Sequence, residues 1–198
     1  GWEMVLIAAL LQESDGPLQR LGVDAFAADY DQQLRAGLDR FGWQSSLLQD
    51  SLERVRRQAV SDDRAGWVAL HRPFDGVSER LARLEDEGVA WSVLTTKGRD
   101  FTAELLEAFQ LRPIRLDGRE SGPKPEVLLR LRREWVLKGF VEDRRATLEA
   151  VLETPGLEGL KCFLADWGYL RPADREGLPE GLDLLSSSKF AAPLAIWL

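Results

Sequence analysis

The sequence VAWSVLTTK at residues 89–97 decides the fold, because it joins an apolar run to a polar turn. Residues 89–94 are almost uninterruptedly apolar, a pattern typical of a strand that is buried on both faces. Before them, apolar residues recur at helical spacing through residues 77–84, and Gly88 can end that helix. The stretch therefore predicts a helix followed by a buried strand, with hydroxyl and ammonium groups at the carboxyl end of the strand.

The same alternation continues along the chain. We predict further helices at about residues 100–110, 125–134 and 144–153, and further strands at residues 112–116, 138–141 and 160–165. Strands that alternate with helices favour a parallel sheet with helices on both faces. The predicted fold class is therefore α/β, with a doubly wound parallel sheet. Residues 167–181 are expected to form a loop, and residues 182–198 an amphipathic segment that closes the domain.

The first third of the chain has a different pattern. Apolar residues recur at helical spacing through residues 26–41 and again through residues 47–55, and no pair of strands is indicated. We therefore predict two parts, an α-helical region at residues 1–70 and an α/β core at residues 71–198.

Composition narrows the possible functions. The 198 residues include 26 Lys and Arg against 33 Asp and Glu, a net charge of −7, which disfavours nonspecific binding to nucleic acid or anionic membranes. Cys162 is the single cysteine, so neither an internal disulfide nor a zinc cluster is possible. His71 is the single histidine, which disfavours Ser–His and Cys–His catalysis. We expect a cytoplasmic protein that binds neither nucleic acid nor membrane.

Three polar segments lie where predicted strands end or a predicted helix begins. Thr95 and Thr96 follow a strand, Lys124 opens a helix between two prolines, and Glu142 and Asp143 end another strand. In parallel sheets, ligands bind at the carboxyl ends of the strands, so the three segments are predicted to share one rim. A hydroxyl with backbone N–H groups suits an anion, and adjacent carboxylates suit Mg²⁺.

Each segment also has a simpler interpretation. Thr95 or Thr96 can cap the next helix, Lys124 can be a solvated surface lysine, and Asp143 can cap the helix that follows it.

In their order and context, the segments resemble the haloacid dehalogenase-like hydrolase superfamily over residues 74–169. The resemblance implies a doubly wound core, a helical cap at residues 1–70, and Mg²⁺-dependent phosphoryl transfer from a small phosphorylated metabolite to an aspartate. It implies that Thr95 and Thr96 bind the phosphoryl oxygens. It also implies that Lys124 binds the phosphate and neutralises charge on the phosphate and on the nucleophile, so that Thr95 and Lys124 are the catalytic residues.

By the same resemblance, Glu142 and Asp143 hold Mg²⁺. The chain departs from the family pattern at Thr147, where members often have a further aspartate. Phosphomutase and dehalogenase activities are also known in the superfamily and stay open here.

The larger departure concerns the Asp-x-Asp motif of the first core strand, which supplies the nucleophile. Asp29-Tyr30-Asp31 has the spacing but lies in a helical pattern, and Glu13-Ser14-Asp15 offers glutamate where aspartate is required. The resemblance then implies a first strand upstream of residue 1. A sheet without that strand would have two unpaired edges and an apolar gap.

The alternative to a hydrolase is a catalytically inactive relative that binds a ligand or a partner.

Overall fold

A computed structural model describes all residues, 1–198, as two compact units, Gly1–Leu70 and His71–Leu198. Every regular element of the first unit is helical. Its helices are α1 (Trp2–Gln12), α2 (Pro17–Leu21), α3 (Val23–Ala28), α4 (Tyr30–Phe41) and α5 (Ser45–Ala69). Among the helices of the chain, none combines the length and the apolar character that crossing a bilayer requires.

The first unit has its own apolar core. Leu6 and Leu10 of α1 are fully buried and pack with apolar residues of α3, α4 and α5. At Gly37 of α4, an added Cβ would lie 3.3 Å from the δ-methyl carbons of Leu6 and Leu10, so glycine permits the close approach of α1. The helical spacing of the apolar residues therefore corresponds to a buried face on α4, whereas in the first half of α5 Leu48 is buried but Leu47 and Val55 are exposed.

The second unit alternates helices with strands. Its helices are α6 (Val77–Asp86), α7 (Arg99–Ala108), α8 (Lys124–Glu134), α9 (Arg145–Leu152) and α10 (Ser187–Ala191). Its strands are β1 (Ser92–Leu94), β2 (Arg115–Asp117), β3 (Gly139–Glu142), β4 (Lys161–Ala165) and β5 (Leu182–Leu185). Short 3₁₀ turns lie at Arg119–Ser121, Pro172–Arg175 and Leu194–Ile196.

All strand pairs are parallel, which confirms the predicted α/β class. β1 pairs with β2, with Val93 opposite Leu116. β4 lies between β3 and β5, and Cys162 is opposite both Phe140 and Leu182. The five strands form two separate sheets, β1–β2 and β3–β4–β5, rather than the single continuous sheet that was predicted.

Apolar clusters cover both faces of the three-stranded sheet. On one face, Phe140, Cys162 and Leu164 pack with residues of α8 and α9. On the other, Phe163 and Leu185 pack with Phe190, Trp197 and residues of α6. β4 is consequently buried from Cys162 to Ala165, as the central strand of this sheet.

β5 was missed by the sequence analysis, which read residues 182–198 as an amphipathic closing segment. Leu182 and Leu185 are buried, whereas Asp183 and Leu184 between them are exposed. Since a half-buried strand is recognised by its period of two, this burial pattern carries no strand signal. Pairing with β4 makes the segment a strand.

Candidate functional site

Thr95 lies directly after β1 at the carboxyl end of the two-stranded sheet. Its backbone N–H donates to the carbonyl oxygen of Asp117 at 3.0 Å, and its hydroxyl accepts a hydrogen bond from the N–H of Lys97 at 3.1 Å. Thr96 is exposed beside it. Helix α7 begins after Gly98, so neither threonine is its N-cap residue. The Thr95 hydroxyl shapes a tight turn at the sheet edge.

Lys124 is the first residue of α8 and is not a solvated surface lysine. Its ammonium forms an ion pair with the carboxylate of Glu142 at the end of β3, and the two side chains are only 13% and 11% exposed. The Lys124 Nζ also lies 5.9 Å from the centroid of the Phe140 ring. The pair thus joins the start of α8 to the carboxyl end of β3.

Asp143 follows Glu142 and faces the loop after β4. Its Oδ2 accepts a hydrogen bond from the N–H of Tyr169 at 3.4 Å. The N-cap residue of α9 is Arg144, so Asp143 does not occupy that capping position. Glu142 Oε1 accepts from the N–H of Arg144 at 3.2 Å. Glu142 therefore has both oxygens engaged, whereas Asp143 has Oδ1 available for a further ligand.

Gly168 permits the loop after β4 to approach Asp143. We expect Gly168→Ala to destabilise this loop, because its Cβ would lie 2.2 Å from the Asp143 Cβ and 2.9 Å from Oδ2. The free energy of unfolding, measured by urea denaturation, should fall by about 1–3 kcal/mol. Asp143→Gly removes the opposing Cβ, so the double variant should be more stable than the sum of the two single changes predicts. Strictly additive changes would contradict the close approach.

The structure brings some of the predicted residues together. Lys124 contacts Glu142, and Asp143 lies beside this pair in the chain. The hydrogen bonds of Thr95 lead to Lys97 and Asp117, and none reaches Lys124. Lys124, Glu142 and Asp143 thus belong to the edge of the three-stranded sheet, and Thr95 to the edge of the two-stranded sheet.

Asp117 is a buried carboxylate at the end of β2 that the sequence analysis missed. Arg115 Nε donates to Asp117 Oδ2 at 2.7 Å, and Arg115 Nη2 donates to Oδ1 at 3.3 Å. Burial alone would raise the pKa of Asp117, but the hydrogen bonds from Arg115 and Ser121 outweigh it, so the pKa lies below its usual value. The available signal was an arginine two residues earlier in the same strand, which places both side chains on one face.

The loop after β4 contains an ion pair between Arg175 and Asp166 that the sequence did not predict. Arg175 Nε donates to Asp166 Oδ1 at 2.5 Å, which folds the loop back onto the end of β4. Tyr169 in this loop is 90% exposed and packs edge-on against Phe74, with ring centroids 6.1 Å apart. This exposed aromatic pair lies next to Asp143 through the Tyr169 N–H.

The side chains near Asp143 offer few ligands for a metal ion. No group of three or more His, Cys, Asp or Glu side chains in the chain is arranged to hold a metal ion. Mg²⁺ is commonly held by one or two carboxylates and keeps several waters. Of the two adjacent carboxylates, Asp143 has Oδ1 available as a metal ligand, whereas both oxygens of Glu142 already accept hydrogen bonds, from Lys124 and from the N–H of Arg144.

Neither of the two positions considered for the nucleophile, Asp29 or Glu13, lies at the end of a strand. Burial raises the pKa of the Cys162 thiol to about 11, which keeps it protonated and unreactive at neutral pH. Asp29 lies between α3 and α4, and Glu13 directly follows α1. Neither carboxylate follows a strand, since β1 is the first strand in the chain.

Comparisons with known proteins add no relatives. No protein-family model matches the chain, and neither a curated protein nor a solved structure matches it.

Proposed function

We propose that residues 71–198 form the core of a magnesium-dependent hydrolase of the haloacid dehalogenase-like type, a phosphatase for a small phosphorylated metabolite. The observation that supports this most is the largely buried ion pair between Lys124 and Glu142, with Asp143 beside it, at the carboxyl end of a parallel strand. A cation and two carboxylates at such an edge can bind a phosphate and a divalent cation together.

In this proposal, each residue acts through charge and position. Besides its bond to Glu142, the Lys124 ammonium donates hydrogen bonds to the phosphoryl oxygens. Its positive charge offsets their negative charge as the ester bond breaks. Glu142 and Asp143 hold Mg²⁺, which when bound polarises the phosphoryl group. Thr95 and Thr96 bind phosphoryl oxygens through their hydroxyls and the N–H groups of the turn. The attacking aspartate is assigned to no residue of the chain.

The helical unit Gly1–Leu70 acts as a cap that selects the substrate, and the phosphatase works in the cytoplasm. The single buried cysteine suits a reducing compartment.

A second candidate function is a catalytically inactive relative that binds a ligand or a partner. It is favoured by Thr147, which stands where the family often has a further aspartate, and by the lack of an Asp-x-Asp motif after any strand of the chain. Phosphomutase or dehalogenase activity would use the same core with another substrate.

Calorimetric titration of the chain with Mg²⁺ in the presence of inorganic phosphate tests the proposed metal site. We expect one saturable site, and we expect Asp143→Asn to weaken binding by about tenfold or more, because a carboxylate ligand becomes a neutral amide. Asp183→Asn is the matched control, since Asp183 is exposed on β5. Absence of saturable binding, or equal weakening by both variants, would contradict the proposed magnesium site.

A further inference from the structure

Two aromatic side chains from distant parts of the chain meet at the surface of the unit His71–Leu198. Tyr169, in the loop after β4, is 90% exposed, and Phe74, before α6, is 45% exposed. Their ring centroids are 6.1 Å apart. A single exposed aromatic residue is ordinary, whereas exposed apolar groups that contact each other can form a binding surface. We call these two side chains the aromatic pair.

The rings of the aromatic pair leave faces open to a third ring. Their planes meet at 61°, so the edge of one ring points toward the face of the other. Such a contact covers one face of one ring, and the other ring keeps both of its faces. Aromatic rings prefer offset-stacked or edge-to-face neighbours. A third planar ring can therefore stack on the open face of one member of the pair while it contacts the other member.

Backbone hydrogen bonds hold the loop of Tyr169 in place. The N–H of Gly168 donates to the carbonyl oxygen of Ala165 at 3.1 Å. The N–H of Asp166 donates to the carbonyl oxygen of Leu185 in β5 at 2.9 Å. The Tyr169 ring is therefore presented by an ordered backbone, so less conformational freedom is lost when a ligand binds to it.

The turn before α6 presents Phe74 in a similar way. The carbonyl oxygen of Phe74 accepts a hydrogen bond from the N–H of Val77, the first residue of α6, at 3.1 Å. Gly76 in this turn has a φ of 76°, in the left-handed region that favours glycine. Val77 packs against the cluster around Phe163 of β4. The backbone of Phe74 is thus tied to the core of the unit independently of its contact with Tyr169.

The aromatic pair lies beside the proposed phosphate and metal site. The Tyr169 N–H donates to Asp143 Oδ2 at 3.4 Å, so the Tyr169 ring lies within one side-chain length of that carboxylate. Asp143 follows Glu142, whose carboxylate is paired with the Lys124 ammonium. A ligand with its phosphate at Lys124 and Asp143 therefore has its organic group within reach of the aromatic pair.

We propose that the aromatic pair binds a planar ring of the substrate, so that the substrate is a phosphomonoester whose organic group is aromatic. This inference rests on the proposed phosphatase function, because it uses the phosphate and metal site of that proposal. The substrate ring stacks on Tyr169 and contacts Phe74, while its phosphate lies at Lys124 and Asp143. An aliphatic ring of the same size gains less, because it lacks the quadrupole on which aromatic pairing depends.

Calorimetric titration of the chain with phenyl phosphate and with cyclohexyl phosphate, in the presence of Mg²⁺, tests the inference. Both esters have a six-membered ring, but only the phenyl group is planar and aromatic. We expect phenyl phosphate to bind more tightly by about fivefold or more, the effect of one favourable aromatic contact. Tyr169→Leu should abolish this preference and leave the affinity for inorganic phosphate unchanged. Because the Tyr169 side chain is 90% exposed, this variant should fold as the wild-type protein does.

Two further variants serve as controls. Tyr169→Phe keeps the ring and should keep the preference for phenyl phosphate. Trp135→Leu removes a 48% exposed ring at the opposite end of α8 from Lys124 and should also keep it. Equal affinity for the two esters, or a preference that survives Tyr169→Leu, while inorganic phosphate still binds, would overturn the inference alone. Failure of inorganic phosphate to bind in the presence of Mg²⁺ would contradict the proposed phosphatase, and the inference with it.

Discussion

Lys124→Ala is expected to lower Mg²⁺-dependent phosphate release by the full-length polypeptide by about 100-fold or more, the usual effect of removing a group that stabilises transition-state charge. Lys124 is largely buried and contacts Glu142. In the proposed mechanism, the variant therefore loses both the cation that faces the phosphoryl group and the ion-pair partner of a carboxylate assigned to Mg²⁺. The measurement is kcat for phosphate release at saturating Mg²⁺.

Controls separate this effect from unfolding. Lys189→Ala removes a lysine from α10 and should leave phosphate release unchanged. Lys124→Arg keeps the charge and should retain more activity than Lys124→Ala. If Lys124→Ala is folded by near-ultraviolet circular dichroism and releases phosphate at the wild-type rate, Lys124 has no catalytic role.

Arg80→Met is expected to lower the free energy of unfolding by about 2–3 kcal/mol, because the hydrogen bonds of a buried charged side chain are lost. The Arg80 side chain is 1% exposed, and its Nε donates to the carbonyl oxygen of Phe190 at 2.8 Å. Its guanidinium also binds Glu87, which in turn accepts a hydrogen bond from the N–H of Leu194 at 2.7 Å. Arg80 thus ties α6 to the end of the chain.

Urea denaturation measures this change, with Arg83→Met as the matched control. Arg83 lies on the exposed side of the same helix and donates only to the carbonyl oxygen of Glu79 at 3.3 Å. Equal stability of the two variants would show that the buried network of Arg80 contributes nothing specific.

The hydrogen bonds of Glu87 also predict that the free energy of unfolding depends on pH in the acidic range. The hydrogen bond from Arg80, and then the one from the Leu194 N–H, hold the pKa of Glu87 below its usual value of 4.5. The folded state therefore binds fewer protons than the unfolded state, so this contribution is complete above that value and is lost as the pH falls through the folded pKa. Unfolding of Arg80→Met should depend less on pH in this acidic range than unfolding of the wild-type protein.

The sequence predicted well those helices and strands whose pattern depends only on neighbouring residues. Helix α8 was expected at residues 125–134 and spans Lys124–Glu134. Strand β4 was expected at residues 160–165 and spans Lys161–Ala165. Helical spacing of apolar residues and a continuous apolar run are properties of a few neighbouring residues, so a single sequence reveals them.

Features that depend on distant residues were harder to predict. The division of the strands into two sheets depends on which strands pair with each other. The sequence of a strand does not specify the strand with which it pairs. β1 is three residues long, although a run of six residues, five of them apolar, predicted it, because only Ser92–Leu94 pair with β2.

The candidate site divides in the same way. The positions of Glu142 and Asp143 at the end of a strand and of Lys124 at the start of a helix were predictable from the order of strands and helices. The division of the predicted rim between two sheets was not, and the contact between Lys124 and Glu142 depends on the return path of α8. Asp117 was missed because its significance comes from burial beside Arg115, which the residue type does not reveal.

Phosphate release from a panel of small phosphomonoesters by the natural full-length polypeptide, with and without Mg²⁺, is the most direct test of the proposed function. The account predicts turnover of at least one ester that requires Mg²⁺ and is abolished by its chelation. A folded full-length protein that releases phosphate from none of them, with Mg²⁺ present, would contradict the account and favour the non-catalytic alternative.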